Sequence, residues 1–229
     1  MADSLSMHVM PPAGKSRTIP KRNRKREEWF NVLTHGTGAL LSVFALIALV
    51  YFSAIRGTRM QLTASIIFGI SLFTLYTAST IYHAMTRLRW KRLFQTVDHL
   101  CIYLLIAGTY TPVALLGLKG TWGWIIFTLI WALAAIGFVF KLSPLRNREK
   151  ASLLLYLVMG WLIIIALKPL IQAMPTEPLL LLLAGGLSYT MGVYFFVKGN
   201  VPYYHTIWHL FVLAGSAFHF FGIFLYLVP

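Results

Sequence analysis

Seven long apolar stretches, separated by short polar breaks, follow one another along the chain. Each is close to the ~20 residues that a helix needs to cross a bilayer, and none shows the period-two alternation of a membrane β-strand. The pattern predicts an all-α polytopic membrane protein with seven transmembrane helices. We number them spans 1 to 7 and place them at residues 33–55, 62–84, 98–118, 122–141, 151–172, 178–197 and 204–228.

The composition agrees with a membrane protein. Hydrophobic residues make up 58% of the chain and charged residues only 11%, which is too little polar surface to cover a soluble globule. The net charge of +14 would suggest nucleic-acid binding in a soluble domain. Here the basic residues cluster between the apolar stretches, as membrane topology signals do. We therefore expect no nucleic-acid partner, and the sequence does not define an oligomeric state.

Two regions are predicted, a short tail and one membrane domain. Residues 1–26 contain Pro11, Pro12, Gly14 and a run of Lys and Arg, but no apolar segment. This composition is typical of a disordered, basic cytoplasmic tail. Residues 27–229 form the predicted seven-helix domain.

The distribution of Lys and Arg predicts how the domain is oriented. If the N-terminus lies in the cytoplasm, sixteen of the 20 Lys and Arg residues fall on the cytoplasmic side. The other four, Arg56, Arg59, Lys119 and Lys168, fall outside. Positive residues are enriched in cytoplasmic segments, so we expect a cytoplasmic N-terminus and an external C-terminus.

Histidines gather at one end of the predicted bundle. Ionisable groups at membrane depth are costly and for that reason point to function. Five histidines lie at span ends on the predicted cytoplasmic side: His35, His83, His99, His205 and His209. His219 lies about 15 Å deeper along span 7, where we expect it to form a hydrogen bond between helices.

The spacing of these residues suggests a metal site. His205 and His209 are four residues apart and share one helix face. With His83 they would form a three-histidine site with water in the fourth position, as in catalytic zinc centres. Ser79 shares a face with His83, and Asp98 is the only carboxylate near a span interior, where it could orient a ligand or the metal-bound water. Histidines that only bond neighbouring helices remain the alternative.

The polar positions form motifs of a known family. They are Glu28-x2-Asn31-x3-His35, Ser79-x3-His83, Asp98, and His205-x3-His209 with His219. Together with residues 98–103 and 107–112 they resemble the bacterial hemolysin III proteins, the prokaryotic branch of the progestin and adiponectin receptor (PAQR) superfamily. That superfamily is distantly related to alkaline ceramidases. The resemblance runs from about residue 28 to residue 221.

The resemblance implies a seven-helix bundle in which His83, His205 and His209 hold a zinc ion. It implies that Asp98 contacts the water on that ion and that Ser79 lies nearby. A neighbouring cavity would take a membrane lipid or fatty-acyl chain as the partner. The expected location is the bacterial inner membrane.

Three further residues on span 1 are expected to support this site. We expect His35, Asn31 and Glu28 to contact the ligands rather than the ion.

Two functions of different classes follow from these expectations. The first is zinc-dependent hydrolysis of a lipid amide or ester in membrane-lipid homeostasis, with Asp98 as general base and Ser79 beside it. The second is a non-catalytic membrane regulator or cytolytic protein, in which zinc only ties spans 2 and 7 together. Short outer connections argue against a pore. A proton-coupled transporter ranks last, because the outer half of the bundle offers almost no ionisable group beyond His219.

Overall fold

The computed structural model describes residues 21–228, which form helices joined by short turns, without strands. Seven of these helical segments are long and apolar enough to cross a membrane, which confirms the predicted all-α fold and its seven spans. Five spans are single α-helices: span 1 (Lys21–Arg56), span 2 (Arg59–Ala84), span 4 (Gly120–Leu142), span 6 (Thr176–Val197) and span 7 (Tyr204–Tyr226). A short 3-10 turn, Pro144–Asn147, links spans 4 and 5.

Spans 1 and 3 begin earlier than the apolar pattern predicts. Span 1 starts at Lys21 instead of residue 33, and span 3 starts at Leu88 instead of residue 98. Hydropathy marks only the part of a helix that lies in hydrocarbon, whereas Lys, Arg, Glu and Gln continue a helix into the polar region. Residues 21–26 are therefore helical, which corrects this part of the predicted disordered tail. Residues 1–20 of that tail lie outside the described residues.

Span 3 ends in a widened turn. Its α-helix, Leu88–Pro112, continues as a π-helical segment, Val113–Leu118, in which the Lys119 N–H bonds the Ala114 carbonyl at 3.0 Å. Proline has no N–H for the helical ladder, and local π-helical adjustment is one way to accommodate it. The chain then reverses through Lys119 and Gly120, both with positive φ (58° and 51°).

Span 5 is a broken helix. An α-helix (Glu149–Gly160) is followed by a 3-10 segment (Leu162–Ala166) and a second α-helix (Leu167–Ala173). At the break, the Tyr110 hydroxyl of span 3 donates to the Gly160 carbonyl at 2.9 Å and accepts from the Ile163 N–H at 3.0 Å. Backbone polar groups at membrane depth need a partner inside the protein. Span 3 therefore stabilises the break.

Spans 2 and 3 form the centre of the bundle. In their most apolar windows 56% and 72% of residues are buried, against 17% for each of spans 5 and 6. Phe68 and Tyr103 are fully buried there. A side chain at Gly108 would collide with Ser71 of span 2, so the small residue permits the close approach of these two helices.

Candidate metal centre

The three predicted ligands come from two helix ends. His83 lies in the last turn of span 2, and His205 and His209 lie in the first two turns of span 7. Span 7 begins after Tyr203, whose left-handed backbone (φ 66°) turns the chain into the helix. The four-residue spacing then places both histidines of span 7 on one face, as the sequence predicts.

The structure brings these three imidazoles together. One candidate ligand atom from each lies within 4.8 Å of the other two, so the group could hold one metal ion. The ring centroids of His205 and His209 are 4.8 Å apart, and those of His83 and His209 are 4.9 Å apart. Nε2 of His83 is buried and has no hydrogen-bond partner among the described residues. Three imidazoles with a free lone pair suit zinc, and the residues present fit one ion.

Glu28 fixes the tautomer of His83. Its Oε2 atom lies 2.7 Å from His83 Nδ1, and Lys91 Nζ binds its other oxygen at 2.6 Å. An ionised carboxylate only accepts hydrogen bonds, so Nδ1 of the neutral ring carries the proton. The Nε2 lone pair is then free for a metal ion, which is the usual arrangement of a ligand histidine and its supporting carboxylate.

Thr34 sets the tautomer of His209, as Glu28 does for His83. Its hydroxyl donates to the backbone carbonyls of Phe30 (2.9 Å) and Asn31 (3.0 Å), and Nδ1 of His209 lies 3.1 Å away. The single hydroxyl proton points to the helix backbone, so the oxygen accepts the proton of His209 Nδ1. The sequence does not single out Thr34, because threonine is common in membrane helices and its role depends on how spans 1 and 7 pack.

The remaining predicted supporting residues also contact the ligands. Nδ2 of Asn31 lies 3.4 Å from Nδ1 of His83. Oδ1 of Asn31 accepts a hydrogen bond from the hydroxyl of Thr206, on span 7, at 2.6 Å. The ring of His35 stacks on His209 with 3.5 Å between centroids, and the ring of Tyr76 is T-shaped to that of His35 at 5.1 Å. His35 thus supports His209 by ring packing, with no hydrogen bond from its ring nitrogens to any described residue.

Asp98 and Ser79 face the same cavity as the histidines. This cavity of about 370 Å³ is lined by Asp98, Ser79, His35, His205 and His209, among others. Ser79, on span 2, and Asp98, on span 3, are thus both exposed to this one cavity. The earlier start of span 3 places Asp98 almost three turns inside the helix rather than at its end.

A second, apolar chamber adjoins this cavity. The two share the wall residues Leu75, Ile102 and Val212, and the chamber has a volume of about 120 Å³. His219 lies in its far wall, where Nε2 bonds the Leu182 carbonyl of span 6 at 3.0 Å. This bond confirms the predicted hydrogen bond between helices.

Trp161 links spans 5 and 6 in the wall of the chamber. The backbones of α-helix Glu149–Gly160 and span 6 hardly approach within 8 Å of each other, although both line the chamber. Nε1 of Trp161, at the break in span 5, donates to Thr190 of span 6 at 3.0 Å. The sequence gives no sign of this contact, since Trp161 resembles the other interfacial aromatics.

Comparisons with known proteins identify the family of this chain. The family described as "Haemolysin-III related" matches residues 23–220. "Hemolysin-3" of Bacillus cereus is 46% identical over 204 residues, covering 89% of this chain and 93% of the relative. "Hemolysin-3 homolog" of Bacillus subtilis (strain 168) is 43% identical over 203 residues, covering 89% and 95%.

A mammalian protein is also similar. "Monocyte to macrophage differentiation factor" of Homo sapiens is 30% identical over 206 residues, which cover 86% of this chain and 83% of the relative. No solved structure matches the chain. The family match, which covers most of the chain, and the bacterial relatives lead to one conclusion: this multi-pass membrane protein belongs to the haemolysin III family.

Proposed function

We propose that this protein hydrolyses an amide or ester bond of a membrane lipid. The observation that carries the proposal is a polar cavity beside an apolar one. His205, His209, Asp98 and Ser79 line the polar cavity, and His83 completes the histidine group. The adjoining apolar chamber shares wall residues with it and would take part of an acyl chain.

The histidine group would hold the metal that the reaction needs. A divalent ion such as zinc polarises the carbonyl of the scissile bond and makes water a stronger nucleophile at neutral pH. His83, His205 and His209 would be its ligands. Glu28 and Thr34 would keep two of these rings in the tautomer that presents Nε2.

Asp98 would move the proton. As general base it would take a proton from the attacking water while the water oxygen bonds the carbonyl carbon. It would then give that proton to the leaving nitrogen or oxygen as the bond to the carbonyl breaks. Ser79, which lines the same cavity, would hold the Asp98 carboxyl or the attacking water in position.

The apolar chamber would bind the lipid chain. Leu105, Ile106, Leu157 and Val193 contribute to its wall, and apolar burial would favour a hydrocarbon chain, of which the chamber of about 120 Å³ would enclose only a part. The gap between spans 5 and 6 would admit the lipid sideways from the bilayer. The polar linkage would stay near the histidine end. The distribution of Lys and Arg supports a cytoplasmic position for that end, and the membrane would be the bacterial inner membrane.

Replacing Asp98 tests the reaction directly. We expect zinc-loaded protein to release fatty acid from a long-chain amide or ester, and Asp98→Asn to reduce the rate about 100-fold or more while zinc stays bound. Glu177→Gln, a carboxylate replaced at the start of span 6, is the matched control and keeps full activity. If neither amide nor ester lipids yield fatty acid with the wild-type protein, the proposal is wrong.

A structural role for the metal is the second candidate. The ligands lie on spans 2 and 7, far apart in sequence, so an ion would tie the two helices together without any reaction. In that case Asp98→Asn keeps both the metal and the biological effect. The name hemolysin of the bacterial relatives adds one measurement, because a cytolytic protein would release dye from liposomes at neutral pH and a hydrolase would not.

A further inference from the structure

The first turns of span 3 carry a concentrated positive charge. Four of the six residues from 87 to 92 are cations: Arg87, Arg89, Lys91 and Arg92. No Asp or Glu occurs between residues 85 and 97. Like charges at such short spacing repel each other on a helix, so an anion from outside the segment would stabilise it.

Three of the four cations have no anionic partner within the part of the chain that the structure describes. Lys91 Nζ binds Glu28 at 2.6 Å, whereas Arg87, Arg89 and Arg92 form no ion pair with any described residue. All three arginines are exposed. Their charge is therefore available to a ligand.

Arg89 and Arg92 share one face of the helix with Leu88 and Leu93. Residues three and four apart are neighbours on a helix, with about 5–6 Å between their Cβ atoms, and each arginine has a leucine at four residues' distance. Leu88 is 64% exposed and Leu93 is 50% exposed. Lys91 lies on another side, where its Nζ is 5.0 Å from the ring centroid of Tyr82. We call the surface formed by residues 88, 89, 92 and 93 the arginine face.

The arginine face lies at the level of the lipid headgroups. Span 3 with its π-helical end, Leu88–Leu118, has 31 residues and is about 46 Å long at 1.5 Å per residue. This length matches a bilayer that includes both headgroup layers, about 40–45 Å, so the first turns lie in one of these layers. Trp90, in the same turns, is 46% exposed, and exposed Trp is typical of that layer.

We infer that the arginine face binds an anionic phospholipid of the phosphatidylglycerol type. Arg89 and Arg92 donate hydrogen bonds to the phosphate, because a guanidinium can offer two N–H groups to two phosphate oxygens. Leu88 and Leu93 pack against the first carbons of the acyl chains. A zwitterionic lipid binds less tightly, because its ammonium adds another cation to a segment without acids. Binding at this face does not depend on the proposed hydrolysis.

Competition between two lipids tests the inference. The purified full-length protein in neutral detergent is loaded with phosphatidylglycerol that carries a fluorescent acyl chain, and energy transfer from the tryptophans reports the complex. Unlabelled phosphatidylglycerol should displace this probe at about tenfold lower concentration than phosphatidylcholine with the same acyl chains, since each arginine favours an anionic lipid several-fold. Equal displacement by the two lipids overturns the inference.

Glycerol 1-phosphate separates a lipid site from a site for soluble phosphates. It carries the same phosphate without acyl chains, so it should not displace the probe at the concentrations at which phosphatidylglycerol does. Displacement at equal concentration would mean that the face binds a soluble phosphate, and the inference would be wrong.

Two double variants with the same loss of charge locate the preference. Arg89→Gln with Arg92→Gln should reduce the advantage of phosphatidylglycerol to about twofold or less. Arg56→Gln with Arg59→Gln removes the same charge from exposed positions at the other end of the bundle and should keep the tenfold advantage. If this control loses the advantage equally, net charge explains the binding and the arginine face is not the site.

A third double variant tests the apolar half of the face. Leu88→Ser with Leu93→Ser keeps every charge, so it should bind both lipids several-fold more weakly while the ratio between them stays near ten. The two leucines are exposed, and the unfolding temperature without lipid should stay at the wild-type value. Undiminished binding in this variant would contradict a lipid site.

Discussion

Spans 2 and 3 differ from spans 5 and 6 in how much of each helix is buried and in how closely the two helices of each pair approach. Most residues in the apolar windows of spans 2 and 3 are buried, whereas most of those in spans 5 and 6 are not. Spans 2 and 3 approach closely at Gly108. The backbone of span 5 breaks after Gly160, and its first helix stands apart from span 6.

Because of this difference, one pair of helices can hold the site while the other can admit a lipid. His83, Ser79 and Asp98 lie on the tightly packed pair, where a site can be held in a defined geometry. The chamber lies beside the loose contact between the first helix of span 5 and span 6. Span 6 itself packs against span 7, which carries His205 and His209, so a movement of span 5 would disturb the ligands least. The proposed hydrolysis needs both properties, because the substrate would arrive from the side while the catalytic groups must stay in place.

The largest effect is expected from removing a core side chain of span 2. Phe68 is fully buried, and Phe68→Ala should lower the free energy of unfolding by about 3 kcal/mol, because the cavity left behind loses its packing contacts. Leu183→Ala on span 6 is the control, since Leu183 is 47% exposed and the change should stay within about 0.5 kcal/mol. Thermal unfolding in detergent measures both. Equal losses would remove the contrast between the two pairs.

A smaller effect is expected from the support of the ligands. Glu28→Gln replaces an acceptor-only carboxylate by an amide, so His83 is no longer held in one tautomer. We expect metal affinity to fall about 10- to 100-fold, measured by competition with a chelator of known affinity. Lipid access should not change, and Glu177→Gln should leave the metal affinity at its wild-type value. Unchanged affinity in Glu28→Gln would show that span 1 does not tune the centre.

The smallest effect is expected at the gap between spans 5 and 6. Trp161→Phe removes the hydrogen bond to Thr190 but keeps an aromatic ring. A lost hydrogen bond of about 1 kcal/mol should speed the uptake of a fluorescent fatty acid about fivefold in stopped-flow measurements, with metal content unchanged. Trp122→Phe on span 4 is the control, and it should match the wild-type rate. If both variants take up the fatty acid at the same rate, the lipid does not enter the chamber past Trp161.

The sequence predicts the fold well but not its irregularities. Apolar stretches of bilayer length identify all seven spans, because the bilayer imposes that length on any helix. Hydropathy does not reveal the break in span 5, since Leu162–Ala166 is as apolar as the residues around it. Gly160 and Pro169 flank this segment and are compatible with a helix break. The hydrogen bonds from Tyr110 of span 3 that stabilise the break are contacts between helices, which the sequence does not predict.

The sequence likewise predicts part of the site but not the contacts that depend on helix packing. The four-residue spacing places His205 and His209 together, and the family motifs add His83, Asp98 and Ser79. Thr34 and Lys91 are not predicted, because a hydroxyl and a lysine near a helix end carry no distinctive pattern. Their roles appear only when span 1 is packed against spans 2 and 7.

Metal content tests the central claim most directly. Elemental analysis of purified protein should find about one zinc ion per chain in the wild type and in His99→Ala, which removes an imidazole that lines the cavity but lies outside the group of three. His83→Ala and His209→Ala should each lose the ion while remaining folded in detergent. One ion per chain in either of these two variants would contradict the account.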